Sequence, residues 1–158
     1  MMLFISTSRK PGALTRKLSR WLGHFLGDCD NRGKSSLDAL VERAEKKGYK
    51  RILLVYERNG NPAELVFYED GWLSPSLEIR GVKWPAEEKR GRLPHAAAFE
   101  ALDEQGGEVG KLFDLGEAEG EAVVIKASAN ELFFEKAGER VGPTLKVRVI
   151  EVGGGKAD

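Results

Sequence analysis

The apolar positions of this 158-residue chain repeat with two periods, and the switches between them mark its elements. Leu3-Phe4-Ile5 is a short apolar run that predicts a buried strand. From about Leu14 the spacing turns helical. Leu14, Leu18, Trp21, Leu22, Phe25 and Leu26 share one face, with Arg16, Lys17 and Arg20 off it. Gly27 is placed to end this helix. At that spacing Trp21 and Phe25 belong to a core, not to a stacking platform. Asp28 to Asn31 reads as a connection or short strand. A second helix follows with Leu37, Leu40, Val41 and Ala44 on one face. Ser35 and Asp38 make its capping box, Lys46 and Lys47 complement its dipole, and Gly48 stops it.

Arg51 to Tyr56 predicts a buried strand, Asn59-Gly60 a type I′ turn, and Ala63 to Tyr68 the returning strand. After a turn at Glu69-Asp70-Gly71, Leu77 to Val82 predicts one more. Trp84 to Arg92 is charged and broken by Pro85 and Gly91, which suggests a boundary. Leu93-Pro94 opens a predicted helix through about Leu102, built on Ala97, Ala98, Phe99 and Leu102. Gly106 to Gly120 reads as a glycine- and acid-rich stretch with a small apolar patch at Leu112, Phe113 and Leu115. Three strands follow, at Glu121–Lys126, Glu131–Lys136 and Thr144–Val152, the last alternating cleanly. The expected class is α/β (α+β), helices on a mixed sheet. Residues 1–153 form one domain with halves at about 1–83 and 93–153, and 154–158 are a frayed tail.

Composition narrows the class. A hydrophobic fraction of 41% and a charged fraction of 32% describe a globular protein. No apolar run approaches the roughly 20 residues that span a bilayer, and Met1 to Ile5 does not read as a signal peptide. The single cysteine, Cys29, rules out an internal disulfide framework and a cysteine-based zinc site, and fits a reducing cytoplasm. The net charge of zero hides an asymmetry. Residues 1–60 carry 13 Lys/Arg against 6 Asp/Glu, a net +7, and residues 61–158 carry 12 against 19, a net −7. A basic half of this kind suits a phosphate-rich partner, and it also suits ion pairing across an ordinary surface.

The chemistry concentrates in two polar, basic loops, each leading into a helix: Ile5-Ser6-Thr7-Ser8-Arg9-Lys10-Pro11 and Asn31-Arg32-Gly33-Lys34-Ser35-Ser36. Backbone N–H groups at a helix start attract anions, and neighbouring Arg and Lys add to the attraction. Gly33-Lys34-Ser35 matches the end of a P-loop, but the required earlier glycine is Asp28 and no buried strand leads in. Nucleotide hydrolysis is therefore not expected. His24, His95 and Cys29 are isolated, and the carboxylates are scattered, so no catalytic set, metal site or cofactor site is predicted.

With these residues in view, the chain resembles the Brix domain family of ribosome-assembly factors, in particular its single-domain archaeal members. The resemblance is carried by Ile5 to Pro11, Thr15-Arg16 with helically spaced leucines, Arg32-Gly33-Lys34, and Leu53-Leu54-Val55 running to Asn59-Gly60-Asn61-Pro62. It covers about the first 70 residues well. It implies two similar halves, each like the anticodon-binding domain of class IIa aminoacyl-tRNA synthetases. It also implies a non-catalytic cytoplasmic protein that binds ribosomal RNA or pre-rRNA during subunit assembly, beside ribosomal proteins or other assembly factors, with no membrane partner. The expected RNA contacts are Ser8, Arg9, Lys10, Arg16, Arg32, Gly33, Lys34, Asn59 and Asn61. The alternative is a protein-interaction module whose acidic half docks onto basic ribosomal proteins without touching RNA.

Overall fold

The computed structural model of the chain describes residues 1–86, 93–117 and 120–151. In order, the described elements are β1 (Leu3–Thr7), α1 (Ala13–Leu26), β2 (Gly27–Cys29), α2 (Leu37–Lys46), β3 (Arg51–Arg58), β4 (Asn61–Tyr68), β5 (Ser76–Lys83), β6 (Ala97–Ala101), α3 (Glu104–Phe113), β7 (Val123–Ala127), β8 (Glu131–Lys136), β9 (Glu139–Arg140) and β10 (Thr144–Ile150). The strands form one mixed sheet ordered β2-β1-β3-β4-β5-β10-β8-β7-β6, with β9 beside β8. β1 runs parallel to β2 and β3, and β6 parallel to β7. The remaining pairs are antiparallel, including the β5–β10 pair that joins the two ends of the sheet.

Alternation sorts the strand side chains between the two faces. Leu3 and Ile5 of β1, Leu53 and Val55 of β3, and Leu65 and Phe67 of β4 face α1, which buries Leu18, Leu22, Phe25 and Leu26 against them. The same face continues under α3, where Val109, Leu112 and Phe113 meet Val123, Ile125, Leu132 and Phe134. On the reverse face Phe4, Ile52, Leu54 and Val66 take Leu40 and Ala44 of α2. A one-residue slip would exchange the two sets, so the register of the central strands is tightly specified.

Four expectations change. Leu14, at the start of the apolar stripe, is 47% exposed and contributes to no core. The α2 N-cap is Ser36, whose hydroxyl accepts the Ala39 N–H, rather than Ser35. Ala97–Ala101 is a strand, not a helix, because pairing with β7 (Ala97↔Val123 through Ala101↔Ala127) outweighs the helical propensity of alanine. The third helix lies further on, at Glu104–Phe113, and runs into the glycine- and acid-rich stretch for which no element is predicted. Parts of the Trp84–Arg92 boundary, of the Gly106–Gly120 stretch and the tail lie outside the described residues.

The glycines that mask α3 in the sequence are what let it sit on the sheet. A Cβ at Gly106 would lie 2.0 Å from the Ala127 carbonyl oxygen, and one at Gly110 would lie 2.8 Å from the Phe99 ring. A Cβ at Gly107 meets nothing within 4 Å. Gly106→Ala should therefore destabilise by about 1–3 kcal/mol, whereas Gly107→Ala should be neutral or stabilising by up to about 1 kcal/mol. Urea unfolding midpoints of the two variants would check this; equal midpoints would contradict the close approach.

Asp103 caps the same helix. Its carboxylate accepts the Ala129 N–H at 2.9 Å and the Gly106 N–H at 2.7 Å. The bond from Ala129, then that from Gly106, holds its pKa below the usual carboxylate range. A carboxylate lowered on folding stabilises above its unfolded pKa, and the contribution disappears as pH falls through the lower folded value. Thermal melts of Asp103→Ala should thus run below wild type at neutral pH and converge with it in strong acid. A difference independent of pH would tie the effect to something other than the carboxylate.

Candidate nucleic-acid interface

Because β1, β2 and β3 are parallel, the segments that leave them emerge at one end of the sheet. Both predicted basic loops and the β3–β4 turn therefore meet, although they are separated in sequence. The β1–α1 loop and the β2–α2 loop are joined by a hydrogen bond from Lys10 N–H to the Gly33 carbonyl, at 3.1 Å. The first loop is also tied to β3: Ser8 N–H donates to the Val55 carbonyl at 3.0 Å, and the Glu57 N–H donates to Ser8 Oγ at 3.1 Å.

Glu57 organises the corner. The β3–β4 register shifts between Tyr56 and Glu57, a bulge of the kind that re-aims a side chain. The Glu57 carboxylate accepts the Gly12 N–H at 2.8 Å and the Thr15 hydroxyl at 2.6 Å. A carboxylate from another strand thus occupies the start of α1, whose own N-cap, Gly12, offers no side chain. At each helix start expected to attract an anion, one backbone N–H is already partnered, Gly12 at α1 by Glu57 and Ala39 at α2 by Ser36. What the corner presents to solvent is instead a set of cationic side chains.

Arg9, Lys10, Arg16 and Lys34 are exposed at this end, together with Asn59 and Asn61 of the turn. Lys10, Gly33, Asn59 and Gly60 all take positive φ, of 51°, 55°, 52° and 80°. The last two are the expected type I′ turn. Asn61 donates its side-chain amide to the Asn59 carbonyl at 3.3 Å, so the turn uses part of its own polarity. Ser8 is half-buried and its hydroxyl serves β3, as described.

Arg32 is placed differently from its neighbours. It is 1% exposed, and its guanidinium donates to the Thr7 carbonyl at 2.8 Å and the Ser35 carbonyl at 2.7 Å. It fastens the second loop to the end of β1. Arg43 of α2 supports the same loop, pairing with Asp30 at 2.7 Å and donating to Ser35 Oγ at 2.9 Å.

Sequence reasoning missed three members of this corner: Arg58, which is exposed in the turn; Glu57; and Arg43. Arg58 was findable, since it adjoins Asn59. The other two depend on contacts across the fold that no local pattern encodes. Elsewhere, His24 and His95 come together with ring centroids 4.3 Å apart. His24 donates through Nε2 to the Leu93 carbonyl, and His95 through Nδ1 to the His24 carbonyl. Burial pushes the Cys29 thiol up, opposite to the lowering that marks a reactive cysteine. Among the described residues no group of three or more His, Cys, Asp or Glu is placed to hold a metal, and no helix is long and apolar enough to cross a membrane.

Fold and corner define a mixed α/β protein that gathers basic loops at the carboxyl ends of its parallel strands. A chain from Pyrobaculum aerophilum named "Probable Brix domain-containing ribosomal biogenesis protein" is 34% identical over 118 residues, 70% of this chain and 65% of that one. One of the same name from Methanosarcina barkeri is 39% identical over 69 residues, 43% of this chain and 42% of that one. The matches thus span less than two thirds of these relatives' own lengths. The crystal structure of Mil, an archaeal Imp4-like protein, superposes with a TM-score of 0.73 at 25% identity, over 95% of this chain and 99% of that one. No family model matches the chain. On this sequence likeness, with the fold beside it, the chain belongs to the Brix domain family.

Proposed function

We propose that this protein is a non-catalytic factor of ribosome biogenesis that works in the cytoplasm and binds ribosomal RNA or its precursor through the loop corner. The observation that carries the reading is the convergence of Arg9 and Lys10 from the first loop, Lys34 from the second, Arg16 from the first turn of α1 and Arg58 from the end of β3, all exposed, on segments tied together by backbone bonds. Cations held on a rigid frame match a phosphate backbone with little ordering cost. Ser8, Gly33, Asn59 and Asn61 shape the loops that carry these cations, and Arg32 holds the frame. The names of the relatives support the assembly role.

We also read the chain as one domain of two similar halves. From either edge of the sheet, a parallel pair bridged by helix (β1 and β3, or β6 and β7) leads into antiparallel strands, and the halves meet at β5–β10. This order supports the anticodon-binding-like layout for each half. A second reading, favoured by the net −7 of residues 61–158, is that this half docks onto basic ribosomal proteins.

The test is a salt series of binding to transcribed ribosomal RNA fragments. Five phosphate contacts predict a log K against log salt slope of roughly −3 to −4 on the single-strand scale. Binding that is weak and insensitive to salt would overturn the RNA reading and leave the docking one.

A further inference from the structure

Beside the corner lies a groove of about 340 Å³ between the first turn of α1, the β3–β4 turn and the end of β5. Leu14 and Trp84 give it an apolar wall, Arg58 and Arg80 stand at it as cations, and Asn59 and Asn61 supply amides. Among the described residues none that lines it is acidic. Leu14 is the odd member of the α1 stripe: it contributes to no core and leaves 47% of itself exposed here. Trp84 is half-buried, touching Trp21 edge-on at 6.2 Å, with Lys17 Nζ 4.1 Å from its ring centroid. Arg80 pairs with Glu78 at 3.1 Å, an exposed pair of the weak kind.

Apolar and aromatic surface, hydrogen-bonding amides and exposed arginines are the combination that takes up an unpaired nucleotide. The base meets the flat apolar surface, its edge meets the amides, and its phosphate meets the arginines. A duplex keeps its bases stacked inside and has nothing to offer the apolar wall. The β3–β4 turn lines this groove and also carries Arg58 of the corner, so one strand of RNA would engage both.

We propose that this groove receives an unpaired nucleotide of the bound RNA, which makes the protein prefer single-stranded or looped RNA over duplex. The proposal rests on the RNA reading above and adds a base-binding element to it. The test uses the full chain, a short single-stranded RNA, and the duplex of that RNA with its complement, at one salt concentration. Leu14→Ala and Trp84→Leu are compared with wild type after circular dichroism melts establish that each is folded. Leu14→Ala, at an exposed helix position, keeps the test available should Trp84→Leu fail to fold.

The expected result is preferential single-strand binding by wild type, lost about tenfold in each variant, with duplex affinity changed less than about twofold. Cross-linking of a 4-thiouridine-substituted strand should map to the β3–β4 turn or to Leu14 and Trp84. Unchanged single-strand affinity in the folded variants, or an equal loss for both RNAs, would overturn the groove while leaving the corner in place. Failure of wild type to bind either RNA would overturn the RNA reading itself, and the groove with it.

Discussion

Arg32→Ala is expected to destabilise the fold by roughly 3–5 kcal/mol, which for a chain of this size lowers the melting temperature by about 10 °C or more. Two charge-assisted hydrogen bonds would be lost, to the carbonyls of Thr7 and Ser35, each worth about 1.5–3 kcal/mol. A void the size of a guanidinium would open beneath the second loop, since the side chain is 1% exposed. Arg32→Lys should recover only part of the loss, because an ammonium does not span both carbonyls as the planar fork does. Thermal and urea unfolding of both variants decide the matter. A normal melt for Arg32→Ala, with weakened RNA binding, would return Arg32 to the contact surface and show that its buried pose is not kept in solution.

Much of the basic half was legible because its elements obey local rules. The α1 stripe, the Asn59-Gly60 turn and the apolar runs of β1 and β3 each rest on spacing or on positive-φ chemistry, and each is observed. The two loops could be singled out by their basic composition, but their joining through Lys10 and Gly33 is a consequence of parallel pairing. The acidic half was harder for two physical reasons. Ala97 to Ala101 carries helix-forming residues in a strand whose conformation is imposed by β7. In α3, Gly106 and Gly110 weaken the helical signal in order to permit a close approach. At the site, the type of residue was readable and its direction was not. Arg9, Arg32 and Lys34 look alike in sequence, yet two face solvent and one is turned inward.

That difference decides how the interface must be tested. Removing Arg32 along with its neighbours would confuse loss of contact with loss of fold, so the informative variant is Arg9→Ala/Lys10→Ala/Lys34→Ala/Arg58→Ala. All four side chains are exposed, and the backbone bonds that fix the loops do not depend on them. The melting temperature should stay within a few degrees of wild type. RNA affinity should fall on the order of 10²–10³-fold at 0.1 M salt, and the salt slope should flatten from roughly −3.5 to about −0.7, the contribution left by Arg16. The slope is the sharper readout, because it counts phosphate contacts irrespective of how much of the remaining affinity comes from bases. A variant that loses affinity at unchanged slope would mean that these cations do not touch phosphate. A variant that keeps both would move the RNA surface elsewhere on the sheet, and charge reversals on the acidic half would then be the next change to make. If wild type and variant both show the shallow slope from the start, the corner is a solvated ion-pairing surface, and the docking reading is the one left to test.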